Sequence, residues 1–318
     1  MTTTLSPRTA RPVRRSGSGP GGSPARRRRT RSAVLFLAPF GVLFAAMMLA
    51  PIAYAVYESF FEVRRSGLGL GPSTTAFAGL SHYSEALRDS AFLASLLRVF
   101  LIGLVQVPVM LGLALLLALL IDSRAARFKR TFQLVYFLPF ALPGAIAAIM
   151  WSYLYMPSIS PVTAALESVG ISLDPLSDTL VPVSIGNMLT WAWTGYNMLI
   201  IHSALKAIPA ELSEAARLDG CSGWRLAWHV KIPLVRPALV LTAVFSIIGT
   251  AQLYTEPEIL RRVAGSITGT YTPILATQYA TNLNDYHFAA AESVVLALLT
   301  FVLSFGFLKY TQRKGMGS

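Results

Sequence analysis

Charge is what this 318-residue chain has least of. Only 13% of its residues are Asp, Glu, Lys or Arg, against 54% hydrophobic, and the mean hydropathy is +0.55. Soluble domains carry about a quarter charged residues, so a water-facing surface all round is excluded. Cysteine occurs once, at Cys221, which rules out an internal disulfide and any multi-cysteine metal site. The four histidines, His82, His202, His229 and His287, are scattered, with no HExxH and no close pair, so zinc chemistry has no support. No Gly-x-x-x-x-Gly-Lys-[Ser/Thr] phosphate loop is present, so the chain has no evident means of hydrolysing ATP itself. His202 and Asp122 have no acid, base or nucleophile in company, which argues against a membrane-embedded enzyme.

Acid is also missing from the first 32 residues, which hold nine Arg; the remainder carries 18 Lys plus Arg against 15 Asp plus Glu. The net charge of +12 is therefore mostly a property of the N-terminal tail. Rich in Gly, Pro, Ser and Arg, residues 1–31 read as an unfolded basic tail. Nucleic-acid binding by Arg26–Arg29 is the rival, and a basic flank to a first membrane span is the simpler cause. A signal peptide is not expected, because the apolar run that follows is too long and lacks a clean cleavage site.

Six apolar stretches approach the roughly 20 residues that cross a bilayer. They are expected at about 32–57, 99–121, 133–156, 181–205, 237–255 and 288–308, within a six-span transmembrane unit covering 32–318. Pro139 and Pro143 should kink the third, and Glu292 is the one acid well inside the sixth. Six spans put both termini on one side. The tail, the loops after spans two and four, and the C-terminus carry 21 Lys plus Arg, against five in the opposite loops. Positive charge is retained in the cytoplasm, so both termini are expected there, in a plasma-membrane protein.

The loop between spans four and five, 206–236, holds most of the information. It reads as helix, glycine break, helix: Pro209 at the first start, Glu211 and Glu214 at the positive end of the dipole, Gly220 as the left-handed stop. Ser222 is placed to cap the next helix and Pro233 to stop it. Leu212, Ala215, Ala216 and Asp219 share one face by their spacing.

Glu214-Ala215-Ala216, three residues, Gly220, nine residues, then Val230-Lys231-Ile232-Pro233 resembles the EAA loop of permease subunits of ATP-binding-cassette importers. Asp219 beside Gly220 is similar to the carbohydrate branch. Phe77-Ala-Gly-Leu80, Phe137-Leu-Pro-Phe-Ala-Leu-Pro143, Trp151, Trp191 and Tyr196 resemble the maltose- and glycerol-phosphate-type permeases. The resemblance departs at 255–285, where many relatives have a Gly-Gly-Pro turn and this chain has Glu256-Pro257-Glu258 and Arg261-Arg262.

The resemblance implies an all-α, type I importer permease fold with six transmembrane helices and a cytoplasmic coupling helix-turn-helix. It implies transport of a sugar rather than an enzymatic activity. The implied partners are a second, similar permease, two ATPase subunits that bind the ATP, an extracytoplasmic solute-binding lipoprotein, a sugar and the bilayer, with no nucleic acid. Glu214, Ala215, Ala216, Asp219, Gly220 and Pro233 would then couple the chain to the ATPase. Trp193, Tyr196 and Asn197 in span four, and Ser246, Gly249, Thr250 and Tyr254 in span five, would touch the sugar, and Glu292 is a further pathway candidate. No cofactor or metal site is implied. The rival reading is a secondary transporter of a small polar solute, which would need mid-membrane ionisable groups and internal repeats that the sequence does not show.

Overall fold

The structure is a computed structural model and describes residues 24–65, 73–123, 125–170 and 172–315. Residues 1–23, most of the tail expected to be unfolded, lie outside them. The chain divides into two compact units, 1–54 and 55–318. Helix α1, Pro24–Phe44, continues through a π turn, Ala45–Leu49, into α2, Ala50–Glu58. Residues 24–31 are thus helical and extend the first apolar helix, where the sequence reading assigned them to the unfolded tail. Helix propagation explains the difference: once a nucleus exists, each added residue costs little, and Arg is a good helix former.

Beyond a short hairpin (β1, Phe61–Arg65; β2, Ser73–Phe77) the regular structure among the described residues is helical. Helix α3 is Ser81–Ala86 and α4 is Ser90–Asp122. Then come α5, Lys129–Ala141, α6, Gly144–Tyr155, and α7, Pro161–Ser168. Helix α8 is Val181–Lys206, α9 Ala210–Leu218, α10 Gly223–Leu226, followed by a π turn at Ala227–Lys231. The chain ends in α11, Ile232–Ala251, α12, Thr255–Leu260, α13, Pro273–Asn282, and α14, Tyr286–Gly315.

By length and composition, four helical runs among the described residues could cross a membrane: Val34–Glu58, Ser90–Asp122, Gly223–Leu260 and Tyr286–Arg313. The expected third span is not one kinked helix. It is the pair α5 and α6, bent by 92° across Leu142-Pro143. Pro143 forces Leu142 into an extended conformation, ψ 136°, which no helix can contain. The expected fourth span, α8, has the length but not the apolarity, because Ser184, Asn187, Thr190, Thr194, Asn197 and His202 interrupt it.

Those polar residues belong to the most enclosed helix of the larger unit. Helix α8 packs against α4, α5, α11 and α6. Its buried positions Val181, Ile185, Met188 and Leu189 recur at helical spacing and join Leu260, Tyr271 and Leu275 in one core. Met198, Ile201 and Leu205 continue the stripe against Ala114, Ala118 and Val235. Gly195 permits the tightest crossing: a Cβ there would overlap the backbone carbonyl of Tyr136 on α5. Polar groups on α8 tie it to neighbouring segments, although His202 Nε2 has no partner among the described residues. Ser184 donates to Pro175 O at 2.8 Å, and Asn187 donates to Tyr155 Oη at 2.8 Å.

Arg98 anchors the loop before α13, donating to Tyr271 O at 2.7 Å with its guanidinium 4.3 Å from the Tyr271 ring centroid. Burial pushes the Tyr271 phenol above its ordinary range, against the opposing pull of Arg98.

Each of the two π turns ends two residues before a proline. Ala50 N–H bonds Ala45 O ahead of Pro51, and Ile232 N–H bonds Ala227 O ahead of Pro233. A proline removes one donor and its ring crowds the carbonyl four residues back; widening the turn before it accommodates both. Pro233 therefore does not stop a helix, as the sequence reading expected. The apolar run starts at Gly223 and passes straight through it, well before the expected start at Pro237.

Candidate functional site

Two regions gather the residues singled out by sequence. The first is a cavity of about 220 Å³ between α4, α8, α11 and α12. Trp193, Tyr196, Asn197, Ser246, Gly249, Thr250 and Tyr254 all line it. Helical spacing on α8 aims 193, 196 and 197 to one side, and spacing on α11 does the same for 246, 249 and 250. The aromatic wall is fixed by Phe140 of α5, stacked on Tyr196 at 4.6 Å and edge-on to Trp193 at 5.1 Å. Trp193 remains 41% exposed, so its face is available. Gly249 has open space where a Cβ would stand.

Two candidates are partly engaged already. Asn197, 2% exposed, donates to Trp193 O at 3.1 Å, and Thr250 donates to Gln106 Oε1 at 3.4 Å. Both hold the lining in place as much as they offer groups to a ligand. Sequence reasoning missed Gln106, Met110, Phe245, Gln252 and Glu256, which line it as well. Gln106 had one signal, an amide in the middle of an otherwise apolar helix.

Glu292 is not in this cavity. It is 1% exposed, on the same α14 face as Phe288 and Val295, which pack on Ala86, Phe92 and Ala276. Its Oε2 has no hydrogen-bond partner among the described residues, and no ion pair includes it. Glu292, the further pathway candidate, thus has neither open surface nor a counter-charge among the described residues. Helix α14 packs on α13, α3 and α11, and this packing encloses the acid instead.

A larger cavity of about 480 Å³ separates α4, α11 and α14, but Leu, Val, Ile and Phe dominate its lining. It lacks the convergent polar groups that orient a hydroxylated ligand.

The second region is the α8–α11 loop. Helix α9 has no buried residue, and Leu212, Glu214 and Ala215 are all exposed. Gly220, φ 82°, ends it with a double closure: Gly220 N–H bonds Arg217 O at 3.0 Å and Cys221 N–H bonds Ala216 O at 2.9 Å. This is a Schellman turn, and it explains the spacing of Ala216 and Gly220: the second alanine supplies the carbonyl that the turn closes on. Asp219 is the last residue before that turn. Pro209 sits just before α9 and not inside it. Ser222 starts α10 through its backbone, Leu226 N–H to Ser222 O at 2.8 Å, and its side chain makes no cap.

Both roots of the loop converge on one carboxylate, which the sequence reading named only in arguing against an enzyme. Asp122, at the end of α4, is 3.1 Å from Lys206 and 2.6 Å from Lys231. Nearby, Gln133 and His202 share a hydrogen bond of 3.1 Å between α5 and α8.

The chain matches known proteins over most of its length. The family model for binding-protein-dependent transport system inner membrane components matches residues 80–314. A probable ABC transporter permease protein of Pyrococcus horikoshii is 31% identical, covering 88% of this chain and 95% of that one. The lactose transport system permease protein LacF of Rhizobium radiobacter is also 31% identical, covering 85% and 91%. Among solved structures, a chain of a bacterial alginate ABC transporter, in complex with an alginate pentasaccharide-bound periplasmic protein, superposes with a TM-score of 0.74 at 17% identity, covering 91% and 96%. That likeness is one of fold.

Proposed function

The chain belongs to the family of binding-protein-dependent transport system inner membrane components, and from that premise we propose that it is one of two permease subunits of an ATP-driven sugar importer. It is a membrane protein and a transport permease, not an enzyme. In this reading six segments cross the membrane, α8 among them, shielded by its neighbours, and α5–α6 as a broken span. Both termini and α9 face the cytoplasm. A second, similar permease completes the pathway, two ATPase subunits supply the ATP, and an extracytoplasmic binding lipoprotein delivers the sugar.

The observation that carries the proposal is α9. It is a short helix with no buried residue, closed by a left-handed glycine, and flanked by a rooted ion cluster. A helix that buries nothing in its own chain gains little from propensity alone, so its packing must come from a partner. Ala215 and Ala216 let a partner backbone approach closely, and Glu214 offers it a charge. ATP-driven closure of the ATPase pair would pull on α9 and move α8 and α11 with it, opening the cavity alternately to each side. The cavity's aromatic and polar lining suits a sugar, whose C–H faces stack on rings while its hydroxyls take hydrogen bonds.

Glu214→Lys tests this. In reconstituted complexes it should remove sugar-stimulated ATPase activity and weaken pull-down of the ATPase, because reversing a charge at a desolvated contact costs about 2–5 kcal/mol. If α9 were only an exposed connector, the reversal would cost a few tenths of a kcal/mol through the dipole and both readouts would stay normal. Normal readouts would reject the coupling role.

A further inference from the structure

The cavity lining contains a carboxylate and no cation. Glu256, the second residue of α12, is half-buried beside Tyr254 and Thr255 at the edge of the aromatic and amide wall. No Lys, Arg or His lines the cavity. Among the described residues Glu256 has no ion-pair partner. Of the arginines in the neighbouring segments, Arg261 pairs with Glu258 at 2.8 Å, Arg98 donates to Tyr271 O at 2.7 Å, and Arg262 is exposed and outside the lining.

Resting on the sugar-pathway reading above, we propose that Glu256 makes this chain's half of the pathway selective for sugars that carry no negative charge. An ionised carboxylate only accepts hydrogen bonds, and sugar hydroxyls donate them, so Glu256 can hold two neighbouring hydroxyls at once. Gln106 and Gln252 supply both donors and acceptors and tolerate either orientation. A phosphate or uronate group changes the balance. It brings a second negative charge into a concave, partly dehydrated space where nothing compensates the first, and an uncompensated charge is the strongest available device for rejecting a ligand. The volume of about 220 Å³ is small for a ligand pocket, so a sugar is held one ring at a time, and an acidic substituent cannot be kept far from Glu256.

The test uses the full complex in lipid nanodiscs without the binding protein, so that only the permease cavity selects. Saturation-transfer NMR, which reads millimolar binding, compares matched pairs that keep the ring: glucose with glucuronate, galactose with galacturonate, glucose with glucose 6-phosphate. In the wild type at least one neutral member should bind about tenfold or more tighter than its acidic counterpart, the scale of one like-charge repulsion at a partly wetted site. Glu256→Gln should bring that ratio below about threefold, because the amide keeps the shape and loses the charge. Glu256→Asp keeps the charge and should keep the preference, which guards against a glutamine variant that fails to assemble. An unchanged preference in Glu256→Gln, with binding of both members lost in Trp193→Ala, would overturn charge selection and leave the sugar cavity standing. No binding by any sugar would overturn both.

Discussion

Lys231 Nζ lies 2.6 Å from Asp122 Oδ2, joining positions 109 residues apart. Lys206 meets the other oxygen at 3.1 Å. Lys206 is the last residue of α8 and Lys231 the last of the π turn before α11, so one carboxylate on α4 holds both roots of the α9–α10 loop. In the transport reading, force applied at α9 reaches α4 through this contact as well as reaching α8 and α11 directly.

The two lysines should differ in weight. The Lys231 side chain is 15% exposed and that of Lys206 is 57% exposed. Asp122→Ala leaves Lys231 enclosed without its counter-charge and should cost up to about 3 kcal/mol, near the lower end for a buried pair that loses one partner. Lys206→Ala should cost under about 1 kcal/mol, as exposed pairs do. The exchange Asp122→Lys with Lys231→Asp should recover part of the loss. Thermal unfolding of the detergent-solubilised protein measures all three, and a loss with Lys206→Ala as large as that with Asp122→Ala would contradict the ranking.

Gly195 and Gly112 give a second contrast. A methyl group on Gly195 meets the Tyr136 carbonyl, which is backbone and cannot swing aside. Gly195→Ala should therefore separate α5 from α8 and cost about 3 kcal/mol or more, the upper range for overpacking. Gly112, in α4, has open space at its Cβ position, so Gly112→Ala should be neutral or stabilising by about 0.5–1 kcal/mol. Yield of folded protein and its melting temperature check the pair.

Gly220 has φ 82° and nothing within 4 Å of its Cβ position. The strain of Gly220→Leu in the isolated chain is thus confined to the backbone, about 1–2 kcal/mol. Gly220→Asn should cost less, since asparagine enters the left-handed region more readily. Gly220→Pro cannot adopt it at all. Pull-down of the ATPase should follow the order Gly, Asn, Leu, Pro, while membrane insertion stays unchanged. Full pull-down with Gly220→Pro would show that the turn is not needed for docking.

The sequence by itself determined what depends on local chemistry. Low charge and long apolar runs dictated a membrane protein, because such runs cannot be solvated. The Ala216–Gly220 spacing determined the Schellman turn, because six consecutive residues, 216–221, suffice to close it. Helical spacing on α8 and α11 grouped six of the cavity's lining residues, since each set of three lies within one helix. Tertiary structure decided what depends on several helices at once. The 92° break at Pro143 holds because α6 packs on α8 and α12, and the proline alone announced only a kink. Pro233 read as a stop because a proline forbids one hydrogen bond; a π turn re-routes the neighbouring bond and the helix continues. Glu292 read as a pathway residue from its depth alone, and the packing of α14 on α13 and α3 closed it in. Gln106, Glu256 and the Asp122 staple join elements far apart in sequence, and no local pattern specifies a contact whose other half is supplied by a distant helix.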